Sequence, residues 1–212
     1  MPTFQTPDPI TLTVEVLSGN VTVIASDRTD TVVEVRPANP AKKDSVRAAE
    51  QTQVNFTGGH LAVTTPKGWR TYSPFSGNPS VDVTIEVPTA SRLNATTALG
   101  RLLGRGELGE CTLAVSSGDI IVEQALDSVT ATTAQGDIRI GEATRGTLRL
   151  ETSMGELEIG IHPGSAARLQ TNTLHGNVQN ITHPVPQDTK NTVEVYARNS
   201  YGNIIIRPAT AA

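Results

Sequence analysis

Apolar and polar residues alternate along most of this chain, and from residue 89 onward the alternation itself repeats. Glycines at 100, 118, 136, 155, 176 and 202 each open a similar phrase: Gly100-Arg101-Leu102, Gly118-Asp119-Ile120, Gly136-Asp137-Ile138, Gly155-Glu156-Leu157, Gly176-Asn177-Val178 and Gly202-Asn203-Ile204. The spacings are 18, 18, 19, 21 and 26 residues, and an earlier copy, Gly19-Asn20-Val21-Thr22-Val23, stands near the start. Seven and five residues before each glycine are mostly apolar or small residues, such as Cys111 and Leu113, Val129 and Ala131, or Leu148 and Leu150. Three before it stands Thr97, Thr133, Thr152 or Thr173, with Val115 and Asn199 in the other two copies. An apolar period of two predicts strands that bury one face, so each copy reads as strand, Gly-Asp/Asn/Glu corner, strand.

One such unit cannot bury its own apolar face, but stacked units share a continuous core. The expected fold is all-β: a β-solenoid, parallel β-helix-like, with rungs of about 18–20 residues whose equivalent strands pair in parallel. Leu102, Ile120, Ile138, Leu157, Val178 and Ile204 would then form one inward column. Glycine at the corner permits positive φ, and the neighbouring Asp or Asn can bond local backbone. The longer spacings place protruding loops near His162-Pro163-Gly164 and His183-Pro184-Val185-Pro186.

The whole chain, 1–212, reads as a single solenoid domain, with regular repeats over 89–207 and a looser β-rich part over 1–88. In that part Ile10–Val16, Val21–Ala25, Thr31–Val35, Gln53–Phe56, His60–Thr64 and Val81–Val87 have strand patterns. Residues 42–51 carry good helix formers after Pro40, and 65–80 is a Pro- and Gly-containing loop.

Composition narrows the function classes. Seventeen Lys+Arg against 21 Asp+Glu give a net charge of −4, which disfavours nucleic acid as a partner. Aromatics are 3%, so Val, Ile, Leu and Ala must build the core. The lone Cys111 allows no intramolecular disulfide and reads as a buried structural residue. Met1–Asp8 has neither a basic n-region nor an apolar stretch, and no run is long enough to cross a membrane. A cytoplasmic protein without membrane insertion is the expectation.

The Gly-Asp/Asn phrases at 118, 136, 176 and 202, with the closing Ala197-Arg198-Asn199-Ser200-Tyr201-Gly202-Asn203, resemble a bacterial β-strand-repeat family named “putative adhesin”, of unknown function and widespread in actinobacteria. The resemblance covers nearly the whole chain, including residues 69–75. It implies a β-solenoid-like fold and offers no catalytic residues to carry over.

The candidate sites are few. Asp119, Asp137 and Glu156 could align one rung apart, but Arg101, Asn177 and Asn203 interrupt the row, and solvated corners are the plainer account. His60, His162, His175 and His183 lack ligand spacing, although stacked rungs could bring His162 toward His175. No metal and no cofactor are expected. Arg139, Arg149, Glu151 and Glu158 project outward; they either pair across rungs or, as a rival, supply acid–base groups. Thr112, Thr130 and Thr132 decorate an outer face. The binding candidates are Trp69, Arg70, Tyr72 and Phe75, because one loop holds three of the seven aromatics, or else these rings cover a solenoid end. The reading is a non-enzymatic binding or scaffolding module for an unknown protein or polysaccharide. The alternative is a carbohydrate-active enzyme or a surface adhesin that uses an exterior groove. The strand Asn203–Ile206, taken as the terminal rung with Ile205 outward, predicts a homodimer through that solenoid end.

Overall fold

A computed structural model describes residues 1–66, 79–182 and 191–209. From residue 92 the predicted units are present. β7 (Arg92–Leu99) turns into β8 (Leu102–Leu108), β9 (Cys111–Ser117) into β10 (Ile120–Ala125), and β11 (Val129–Gln135) into β12 (Ile138–Ala143). The series continues with β13 (Gly146–Met154) and β14 (Leu157–Ile161), β15 (Ala166–His175) and β16 (Val178–Asn180), and β17 (Thr192–Tyr201) and β18 (Ile204–Pro208). Strands before the glycine pair in parallel to form sheet 1, and those after it form sheet 2.

The looser N-terminal half also supplies rungs. β2 (Thr11–Ser26) spans both sheets as one strand, its first half beside β7 and its second beside β8. On its other side lie β5 (His60–Thr64) in sheet 1 and β6 (Val81–Pro88) in sheet 2. In spatial order the rungs are therefore β5/β6, β2, β7/β8, β9/β10, β11/β12, β13/β14, β17/β18 and β15/β16, which we number I to VIII.

This order corrects the expectation for the C-terminal strand. β18 pairs with β14 on one side and β16 on the other, so Asn203–Ile206 is interior and the terminal rung is β15/β16. Like rungs present the same inward columns and the same corner, so the last one fits as well between two others as at the end. The glycine corners record the order directly: Gly202 lies against Gly155, and Gly176 lies against Gly202. Ile205, opposite Glu158 and Gln179, is half-buried by its neighbours rather than left on an edge.

The core is the stack of inward columns. Ile120, Ile138, Leu157 and Ile204 are fully buried in sheet 2, facing Cys111, Val129, Leu148 and Val195 in sheet 1. Burial of this kind is worth roughly 1.5–3 kcal/mol per large aliphatic side chain before entropy is counted. The corner glycine is required twice over at Gly136: φ is 142°, and a Cβ would lie 2.1 Å from the Gly118 carbonyl oxygen. The threonines before the corners explain themselves here too. Thr133 donates to the Gly118 carbonyl at 3.2 Å, Thr152 to Gly136 at 3.0 Å and Thr173 to Gly202 at 3.2 Å, tying each corner to the next rung. Asn199 takes the same place through Nδ2 on the Gly155 carbonyl at 3.1 Å, but its buried Oδ1 has no partner.

The N-terminal end is closed. β4 (Gln53–Thr57) pairs antiparallel with β5, β3 (Asp30–Pro37) with β6, and β1 (Thr3–Gln5) with β3. Phe4 from β1 stacks on Phe56 from β4, ring centroids 4.9 Å apart, against the core. The helix α1 (Lys43–Gln51), one residue shorter than predicted, buries Ser45 and Ala48 alongside β3 and β6. At the C-terminal end, inward-facing Ala167 and Leu169 are half-buried and Val178 is 45% exposed.

Candidate binding face

Trp69, Arg70, Tyr72 and Phe75 lie outside the described residues, as does His183. The remaining sequence candidates fall into two groups, those that tie rungs together and those that face outward.

The corner acids belong to the first group. Asp119 Oδ1 accepts the Asp137 amide at 3.1 Å, Asp137 Oδ1 accepts the Glu156 amide at 2.8 Å, and Asn203 Oδ1 accepts the Asn177 amide at 3.1 Å. Each side chain thus caps the backbone of the neighbouring rung. On the outer face of sheet 2, Glu158 is held between Arg139 at 2.5 Å and Arg207 at 2.7 Å, while Arg28 bonds both Asp30 and Glu86. The hydrogen bond from Arg28 holds the Asp30 carboxyl below the usual range. These are cross-rung pairs of the kind that tie neighbouring strands together. A groove of about 520 Å³ at this sheet's corner is lined by one carboxylate, Asp119, which pairs with Arg101 at 3.5 Å. His162 and His175 are not brought together: His162 faces Glu142 at the far end of its rung, whereas His175 stacks on Tyr201 beside the corner. Burial pushes the Cys111 thiol up to about 12, with nearby Glu110 adding to the effect. That thiol is an inert core group.

The outer face of sheet 1 divides along the stack. In rungs III to V its central positions are Asn94, Thr96, Thr112, Ala114, Thr130 and Thr132. In rungs VI to VIII the equivalent positions are Arg149 and Glu151, Tyr196 and Arg198, and Gln170 and Asn172. The corner column changes likewise, from Leu99, Ser117 and Gln135 to Met154, Tyr201 and His175. The Arg149 guanidinium sits 4.6 Å above the Tyr196 ring, and the His175 and Tyr201 rings stack at 4.7 Å. Between these aromatics lies a pocket of about 80 Å³ lined by Glu151, Ser153, Asn172, Leu174, Arg198 and Ser200. Met154, Leu174 and Tyr201 are all more than half exposed around it. Arg149 and Glu151 were visible in sequence as outward groups, but Tyr196, Arg198, Tyr201 and His175 were not assigned to a face. The signal was there: two of the three tyrosines, 196 and 201, sit on one strand.

Stacked parallel rungs, glycine corners and a hydroxyl or amide under most of them define a β-solenoid. The chain belongs to the Toastrack DUF4097 family, which matches residues 10–204. Among solved structures, a “putative cell adhesion protein” from Clostridium sporogenes is similar with a TM-score of 0.56, 12% identity and 98% of each chain covered. A “putative adhesin” from Bacteroides fragilis has a TM-score of 0.39 at 12% identity, covering 97% of this chain and 95% of its own. A “putative lipid binding protein” from Parabacteroides distasonis has 0.36 at 13% identity, covering 99% and 96%. At this identity the first supports the fold alone. No curated protein matches the sequence.

Proposed function

We propose that this protein is a non-enzymatic binding module that holds an extended polysaccharide on the outer face of sheet 1, over rungs VI to VIII. The observation that carries this reading is the change in that face from uncharged, mostly threonine and alanine side chains to arginine, glutamate, amide and aromatic ones, while the inward positions stay uncharged. Sugars present hydroxyls that both donate and accept, together with apolar ring faces. A mixture of carboxylate, guanidinium, amide and exposed aromatic edge meets both. The pocket is too small for a metabolite, since ligand cavities run to roughly 300–1,000 Å³. It suits one substituent of a polymer lying across the face. Glu151 is the one carboxylate lining it, whereas glycoside hydrolysis generally uses two about 5–10 Å apart, which favours holding a chain over cutting it.

Glycogen, chitin and peptidoglycan sacculi are the probes, chosen to cover storage and surface polysaccharides. Co-sedimentation should retain the parent on one of these, and Tyr201→Ala and Arg198→Ala should each lower retention at least fivefold without shifting the melting temperature. No reducing ends should be released. Failure of every polymer to retain the parent, or undiminished retention of both variants, overturns the proposal.

A further inference from the structure

The two ends of the solenoid are finished differently. At rung I both sheets continue into antiparallel strands, with Phe4 on Phe56 and helix α1 completing the cap. At rung VIII, among the described residues, no strand pairs with the outer edge of β15 or β16. Alternate residues of the ten in β15 and the three in β16 therefore present backbone N–H and C=O groups at the end of the stack. Inside that edge Leu169 is half-buried and Val178 is 45% exposed. Exposed edges are commonly blunted by charge, yet residues 166–182 contain one charged side chain, Arg168, and it leans on Glu194 of the neighbouring rung at 3.8 Å.

We infer that rung VIII is the interface of a two-fold dimer, and that its occupant is a second copy of this chain. The two edges lie in two facing sheets, so a two-fold axis normal to both sheets brings β15 to its own counterpart and β16 to its own. Both contacts are then antiparallel, and both form at once. The inward columns of the two copies join into one core that covers Leu169 and Val178. The finish of the ends supports this assembly against the others. A filament built head to tail needs two open ends, but the cap on rung I blocks propagation, and an isologous contact closes at two copies. The same axis sets the outer faces of sheet 1 edge to edge, which would double the binding face on one side of the dimer. The inference itself stands on the edges and the cap, independently of what that face binds.

Light scattering at about 100 μM, where contacts of micromolar affinity are saturated, should give a mass twice the 22.4 kDa of one chain. Val178→Lys combined with Asn180→Lys sets charges into the joined core and should return the mass to that of one chain, with the melting curve otherwise retained. Hydrogen exchange of the parent gives a second readout that needs no variant. The amides of residues 166–175 that point away from β17 should be protected at about 100 μM and exchange at least tenfold faster after dilution to about 0.5 μM. A monomeric parent at the higher concentration, a ladder of larger species, or edge amides whose exchange ignores concentration would each overturn the inference. Polysaccharide retention by the monomeric double variant is read separately, so loss of one conclusion does not carry the other with it.

Discussion

Rungs III to V and rungs VI to VIII are built on the same inner columns and differ on the outside of sheet 1. Position for position, Ala131 and Leu150 point inward from register partners, while Thr132 beside the first becomes Glu151 beside the second. The inner residues are fixed by packing, because a stacked column tolerates neither a gap nor a charge. The outer ones need only be compatible with water and with a strand, and threonine satisfies both. Folding therefore does not require Arg149, Glu151, Tyr196 or Arg198, and the contrast isolates residues that answer to something other than the fold.

The largest effects should come from the shared inner frame. Gly136→Ala forces a Cβ to 2.1 Å from a carbonyl at φ 142°, and a loss of more than about 3 kcal/mol is expected in denaturant titration. Gly59→Ala, at φ 76° with nothing within 4 Å, should cost only about 1 kcal/mol. Ile138→Asp places a carboxylate in the column between Ile120 and Leu157 and should cost several kcal/mol. If it melts within a degree or two of the parent, the inner frame is not what holds the rungs.

Cys111 gives a pH test of the same frame. Its thiol is neutral when folded up to about 12, against an ordinary value of 9.0, so below pH 9 neither state releases the proton. As pH rises from there the unfolded chain ionises first, and stability must fall across the window between the two values. Cys111→Val should flatten that part of the stability–pH curve, and an unchanged slope would show that the thiol is not buried as described.

Smaller effects should follow at the corner hydroxyls. Thr152→Val removes the bond to the Gly136 carbonyl and should cost about 1 kcal/mol. Asn199→Thr should instead gain about 1 kcal/mol, because it restores the hydroxyl and removes a buried oxygen without a partner. A destabilised Asn199→Thr would mean that the asparagine has a role the corner does not explain.

The sequence made the rung legible because the physics of a rung is local. Gly118-Asp119-Ile120 and its copies state the turn, the corner bond and the inward facing within a few residues. It did not make the order of rungs legible. Which rung neighbours which depends on edges that all look alike, and sequence proximity suggested that Asn203–Ile206 came last. The early strands were found one by one, yet Thr11–Ser26 was not seen as a full rung, because its partners β5 and β6 come later in the chain. The aromatic clue was read at residues 69–75, where local density is highest. The face formed by Arg149, Tyr196 and Asn172 is assembled from three rungs, and only the register joins residues so far apart in the chain.

The most direct test exchanges one face for the other. Arg149→Thr, Glu151→Thr, Tyr196→Thr and Arg198→Thr together carry the outer chemistry of rungs III to V onto rungs VI and VII without touching an inward residue. Calorimetric titration with the polysaccharide that retains the parent should show the melting temperature kept within a few degrees and the binding heat abolished. A protein that binds as before after this exchange would contradict the account, because the outer face of sheet 1 would then not be where the ligand is held.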